Sequence, residues 1–194
     1  MGKTVYCHFS FRRPKGKDYG LFATAFYWDE EGKKLTAQAT RKLKLWENQQ
    51  FVSAIQAYSH ALFCIYTWQG IMKSQGITDV MLVTDNSALA GWIGNPNKNK
   101  NYAAYMRKAV EPYCVGSSKE ITLGIGLCDV REYEKSYKYC KESLVINNDE
   151  TKTIVSNKGK RAIDLDTSKI EYKTIAEIEN DNPNMPEVVG LKED

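Results

Sequence analysis

The sequence predicts an α/β domain built on a mixed five-stranded sheet with helices on both faces. Three observations point there. Three strand-like runs, 3–11, 19–29 and 34–42, come before any helical pattern. Residues 48–72 then hold no Asp, Glu, Lys or Arg, yet keep apolar side chains at helical spacing. Two short apolar runs, 78–84 and 120–128, stand between helical segments, as parallel crossovers require.

Residues 3–11 (KTVYCHFSF) read as the first strand. The basic stretch 12–18 (RRPKGKD) contains Pro14 and Gly16 and breaks the pattern. Residues 19–29 alternate well enough for a second strand, and the polar turn 29–33 leads to a third at 34–42. Strand, turn, strand describes an antiparallel meander. In the charge-free helix, apolar residues recur at 51, 54, 55, 58, 62, 65 and 72, and Gly76 ends it. Six Asn, Gln and His residues interrupt its apolar character, so it reads as a helix buried on most sides rather than a membrane span. His60, in its middle, is expected to be a satisfied core histidine.

Residues 78–84 (TDVMLVT) read as a buried parallel strand. Asp85, Asn86 and Ser87 are three successive candidates to cap a short helix over 87–93. A loop follows at 94–101, a helix at 102–114, the fifth strand at 120–128 and a polar helix at 131–143. The order is βββαβααβα.

Charge divides the chain. It carries +3 overall, but residues 1–144 have 20 Lys/Arg against 13 Asp/Glu, and residues 145–194 have 7 against 11. The expectation is a basic domain over 1–144 and an acidic C-terminal extension over 145–194, partly disordered, with a hairpin over 152–156 and 161–165 and two prolines near the end. A basic body suits an anionic partner. Five well-separated cysteines and two histidines offer neither a zinc ribbon nor a disulfide framework, so buried reduced thiols in a cytoplasmic protein are expected. No secretory signal is evident in residues 1–20.

Specific residues resemble the ribonuclease H-like superfamily, type 1. Val5 to Phe11 resembles the family's first strand, and residues 15–20 (KGKDYG) fall at its Gly-rich turn. Residues 50–62 align without gaps to its first helix, and residues 80–93 (VMLVTDNSALAGWI) are very similar to its fourth strand and following helix. The resemblance covers about residues 3–143, with Thr84-Asp85 its most specific part. It implies that the C-terminal ends of strands one, four and five meet.

That family cuts a phosphodiester with two divalent metals, which need a cluster of carboxylates. The resemblance places the four acid positions at Ser10, Gln50, Asp85 and a last-helix position near Tyr137 or Lys138. Only Asp85 keeps its acid, and residues 129–134 lack the family's histidine. One carboxylate cannot hold two metals, so the site reads as degenerate and no cofactor is expected. Ser10 and Gln50 remove the repulsion that clustered carboxylates suffer without metal. A relocated site is the rescue: Asp129, Glu132 and Glu134 follow strand five, and Asp85 with Asp129 could ligate Mg²⁺ or Mn²⁺ if activity survives. Otherwise Asp85 serves as a helix cap, and the Asp129 group favours the first turn of the last helix.

Candidate phosphate contacts are Arg12, Arg13, Lys15 and Lys17 after strand one, Lys98 and Lys100 in the loop, and Arg107 and Lys108 beyond it, with Tyr102 as an aromatic face. Three functions compete. The first is a pseudoenzyme that binds nucleic acid, duplex or RNA–DNA hybrid, without efficient cleavage. The second is a module for protein interaction or homo-oligomerisation. The third is a metal-dependent ribonuclease with relocated carboxylates.

Overall fold

The computed structural model describes residues 3–28, 35–84, 86–128 and 187–190. Its elements are β1 (Lys3–Arg12), β2 (Tyr19–Trp28), β3 (Leu35–Lys44), α1 (Gln50–Ser74), β4 (Ile77–Val83), α2 (Ser87–Gly94), α3 (Ala103–Val110), a 3₁₀ turn (Glu111–Tyr113), β5 (Gly124–Cys128) and β6 (Glu187–Gly190). The sheet order is β5-β4-β1-β2-β3-β6. β1, β2 and β3 form the antiparallel meander, while β4 runs parallel to β1 and β5 parallel to β4. The five expected strands thus lie in the mixed ribonuclease H-like arrangement, with parallel strands fed by helices.

β6 corrects the expectation for the tail. Residues 187–190 pair antiparallel with β3, Thr40 opposite Glu187 and Ala37 opposite Gly190, so the sheet has six strands. Prolines and acids mark the surrounding segment, but Val188 and Val189 are β-branched, and β3 would otherwise present an open edge. The expected hairpin over 152–156 and 161–165 and the last helix over 131–143 lie outside the described residues.

Two further boundaries differ from the sequence pattern. The helix expected over 102–114 ends at Val110 and tightens into the 3₁₀ turn. Pro112 lacks an N–H and cannot continue an α-helix. β5 starts at Gly124 rather than 120. The preceding segment bonds elsewhere: Gln69 Nε2 donates to the Glu120 carbonyl at 3.0 Å, and Thr122 N donates to Gln69 Oε1 at 2.9 Å.

α1 lies across one sheet face, where Val5, Cys7, Phe9, Phe22, Phe26 and Ala39 meet Ile55, Tyr58, Leu62, Ile65 and Trp68 in one core. Phe26 and Trp68 are tilted rings 5.0 Å apart. Burial around most of α1 explains why it carries no charge before Lys73. No described helix is long and apolar enough to cross a membrane. Cys7, Cys64 and Cys128 are buried as expected, but Cys114 is exposed, because it follows the 3₁₀ turn rather than lying on a packed helix face.

His60 is the buried, bonded histidine that the pattern predicts. Its Nδ1 lies 3.0 Å from Thr24 Oγ1 on β2, and its Nε2 lies 3.8 Å from Cys64 Sγ. Burial, reinforced by the nearby Arg41 guanidinium, pushes the imidazole down to about 3, and burial pushes the Cys64 thiol up to about 12. Histidine and cysteine therefore stay neutral together, which makes them a packing pair and not a thiolate–imidazolium nucleophile.

Two outcomes follow for stability. Gly76 closes α1 at φ +82°, where an added Cβ would meet only the Lys3 Cδ at an ordinary 4.0 Å. Gly76→Val should cost about 1–2 kcal/mol in urea unfolding through backbone strain alone, and Gly76→Asn less; equal stability of all three would contradict this. The folded His60 value lies below the unfolded one, so the unfolded chain takes up the proton first. Stability is present above pH 6.5 and falls as pH drops toward 3. The loss should approach about 1.4 kcal/mol per pH unit. His60→Gln should flatten the wild-type decline between pH 6.5 and 5, and an unchanged slope would refute it.

Candidate functional site

The candidate site lies where β1, β4 and β5 end and α1 begins. The parallel registers put His8 level with Val83 and Val83 level with Cys128, so the three strands end close together. Ser10 follows on β1, half-buried, and Gln50 opens α1. Asp85, Asp129, Glu132 and Glu134 lie outside the described residues. Of the candidate caps for α2, Asn86 serves: its Oδ1 accepts from Leu89 N at 3.0 Å.

The α1 N-terminus carries an unusual amide cap. Gln49 Oε1 accepts from Val52 N at 3.0 Å, and Gln49 Nε2 donates to the Tyr102 hydroxyl. Beside it, the Arg13 guanidinium donates to Asn48 Oδ1 at 3.1 Å and to Gln50 Oε1 at 3.0 Å. The fork ties the β1–β2 loop to the helix start. Both acceptors are neutral amides, so the positive charge of Arg13 is not cancelled by them.

This geometry bears on the metals that the family resemblance implies. Hard divalent ions need several carboxylate oxygens. Among the described residues, no group of three or more His, Cys, Asp or Glu could hold a metal ion. Ser10 and Gln50 are neutral, and Gln50 accepts a hydrogen bond from the Arg13 guanidinium. The described residues do not fit a two-metal centre.

A cleft of about 1020 Å³ opens against this corner. Arg13, Lys15, Lys17 and Lys44 line it, against Asp18 and Glu47. Gln56, outside that lining, holds two of its residues by accepting from Trp46 N at 3.1 Å and donating to the Lys44 carbonyl at 2.9 Å. Lys108 Nζ sits 4.4 Å from the centre of the Trp46 ring, a cation–π contact that brings α3 to the cleft edge. Tyr105 donates to Glu47 Oε2 at 3.4 Å, joining α3 to the same loop.

A second surface flanks the first. Tyr102 stacks on Trp92 with ring centres 4.9 Å apart, and Phe51 meets Trp92 edge-on at 5.7 Å. Phe51 is 40% exposed. Lys98 and Lys100 are exposed in the neighbouring loop, and Lys98 folds back toward Gly91 on α2.

The nine basic and aromatic candidates thus separate. Arg13, Lys15 and Lys17 share the cleft, and Lys108 reaches its edge through Trp46. Tyr102 belongs to the aromatic surface beside Lys98 and Lys100. Arg107 lines a different hollow with Glu111 and Ser117, and exposed Arg12 does not line the cleft. Lys44, Trp46, Phe51 and Trp92 were not among the candidate contacts read from the sequence. Lys44 and Trp46 bracket the start of the connection after β3, and their signal was the WEN tripeptide between a strand and a helix cap.

No protein-family model matches the chain, and no curated protein matches it. Solved structures do. RNase H1 from the halophilic archaeon Halobacterium salinarum NRC-1 shares 10% identity over 68% of this chain and 89% of its own, with a TM-score of 0.41. The N-terminal RNase H domain of Rv2228c from Mycobacterium tuberculosis shares 7% over 74% and 99%, with a TM-score of 0.42. LC9-RNase H1, a type 1 RNase H with the type 2 active-site motif, shares 11% over 73% and 69%, with a TM-score of 0.37. At such identities these likenesses concern the fold alone.

Proposed function

We propose that this chain is a ribonuclease H-like module that binds duplex nucleic acid or an RNA–DNA hybrid without efficient cleavage. The observation that carries it is the Arg13 fork on Asn48 and Gln50, a fixed cation at the corner where the family needs carboxylates. Phosphate affinity and metal-ion chemistry make opposite demands on that corner. A guanidinium attracts a phosphodiester and repels Mg²⁺.

The remaining cations extend the same preference. Lys15, Lys17 and Lys44 stand in one cleft with Arg13, spaced along the β1–β2 loop and the end of β3. Each can neutralise one phosphate and release its counterion, the main source of affinity for nucleic acid. The partly exposed Phe51, backed by Trp92 and Tyr102, offers a face for a base or sugar beside the backbone track. Nothing in this arrangement reads base edges, so the binding is expected to follow shape and charge rather than sequence.

Binding should weaken steeply with salt, with a slope of log K against log salt of about −3 to −4 for four phosphate contacts. Arg13→Ala should reduce that slope by about one, in a fluorescence-anisotropy titration on a labelled hybrid. A salt-independent affinity, or none for duplex, hybrid and single strands at low salt, would overturn the proposal. Cleavage is tested separately. A labelled hybrid kept with Mg²⁺ or Mn²⁺ at high protein concentration should stay intact, whereas products that Asp85→Asn abolishes would establish the relocated-carboxylate enzyme instead.

A further inference from the structure

An aromatic surface stands beside the basic cleft, and neutralising phosphates does not require it. Phe51 lies one residue past Gln50, the acceptor of the Arg13 fork, and its ring is 40% exposed. The helix start does not explain that ring. Gln49 is the cap of α1, so Phe51 is the second helical residue. A hydrophobic staple would join an apolar residue before the cap to the fourth residue of the helix, and those places hold Asn48 and Ser53.

Packing holds the ring in place without covering it. Trp92 of α2, itself buried, meets it edge-on at 5.7 Å, and Tyr102, just before α3, tilts against it at 5.9 Å. Trp92 and Tyr102 stack on each other at 4.9 Å, and Gln49 Nε2 donates to the Tyr102 hydroxyl. Three parts of the fold thus fix one ring, so a ligand that settles on it costs little further ordering of the protein. Cations stand near it. Arg13 is bonded to the neighbouring Gln50, and the exposed Lys98 lies over Gly91, the residue before Trp92, where an added Cβ would stand 3.3 Å from its Nζ.

The chemistry of the surface selects its ligand. A duplex shows a protein its phosphates, its sugars and the edges of its bases. The π-faces of those bases are turned inward on one another. A ring with no polar atom gains little from a phosphate and much from a base face. A nucleotide outside the duplex stack presents that face. Gln50 lines the basic cleft and Phe51 follows it directly, so a strand that leaves a duplex at the cleft meets the ring next.

We infer that Phe51 stacks an unpaired base, and that the ligand is a junction between a duplex or hybrid and a single strand. The duplex backbone lies in the Arg13 cleft and the first unpaired nucleotide lies on the ring. Lys98 and Lys100 then meet the phosphates of the continuing strand. This inference rests on the nucleic-acid reading of the cleft and names its substrate more closely.

The test is fluorescence anisotropy of the full chain against labelled RNA–DNA hybrids of one duplex length at fixed salt. One hybrid is blunt. One carries a short single-stranded overhang, and one carries the same overhang with abasic residues, which keep the phosphates and lack the bases. Overhangs of both polarities are compared. In at least one polarity the base-bearing overhang should bind about tenfold tighter than the blunt hybrid, the gain from stacking one base. The abasic overhang should lose most of that gain. Phe51→Ala should abolish it and Phe51→Tyr should keep it, while Arg13→Ala should weaken blunt and overhang hybrids alike. If Phe51→Ala fails to fold by circular dichroism, the abasic comparison on the unaltered chain decides. Equal binding of blunt and overhang hybrids overturns the inference and leaves the nucleic-acid reading standing. So does a gain that the abasic overhang retains, which belongs to its phosphates, or one that survives Phe51→Ala, which belongs to another surface. Absence of binding to every hybrid overturns both.

Discussion

Burial of α1 against the sheet is the constraint on which the rest depends. A helix of 25 residues lays Ile55, Tyr58, Leu62, Ile65 and Trp68 on the face made by β1, β2 and β3. Removing any one of the large aliphatics would leave a cavity costing about 2–5 kcal/mol. That packing fixes three places at once. The helix start delivers Gln49 and Gln50 to the strand ends. The middle presents His60 to Thr24 and Gln56 to the Lys44–Trp46 turn. The end, through Gly76, feeds β4 back parallel to β1.

The functional corner follows from the first of these. The same backbone frame that can gather carboxylates around metal here gathers amides around a guanidinium. Ser10 and Gln50 remove negative charge, and Arg13 adds a fixed positive one within hydrogen-bond reach of position 50. Lys15, Lys17 and Lys44 line the cleft with Arg13, so its cations outnumber its two acids, Asp18 and Glu47. On the proposed reading the cleft serves phosphate, and the two described family positions, Ser10 and Gln50, carry no acid.

Much of the fold was legible because its signals are periodic. The meander, the charge-free helix and the apolar run of β4 each repeat over several residues, and the structure places all of them as expected. What escaped was short or non-local. β6 has four residues, and its stability comes from the open edge of β3, far away in sequence. The early start assigned to β5 failed because Gln69, 51 and 53 residues upstream, captures Glu120 and Thr122. At the site, composition flagged Arg13 as a cation but not its fork on Asn48 and Gln50, since that contact spans the whole meander. Trp46 carries no pattern of its own and Phe51 reads only as a helix-face residue, and the packing of α2 and α3 against the helix start gives them a further role.

The central claim is that the corner formed by the β1–β2 loop, the end of β3 and the start of α1 holds a nucleic-acid backbone. Hydrogen–deuterium exchange of the full chain with and without a short RNA–DNA hybrid tests it directly. Residues 12–18 and 44–51 should gain protection together on binding. Protection confined to other surfaces, with these two segments unchanged under saturating hybrid, would contradict it.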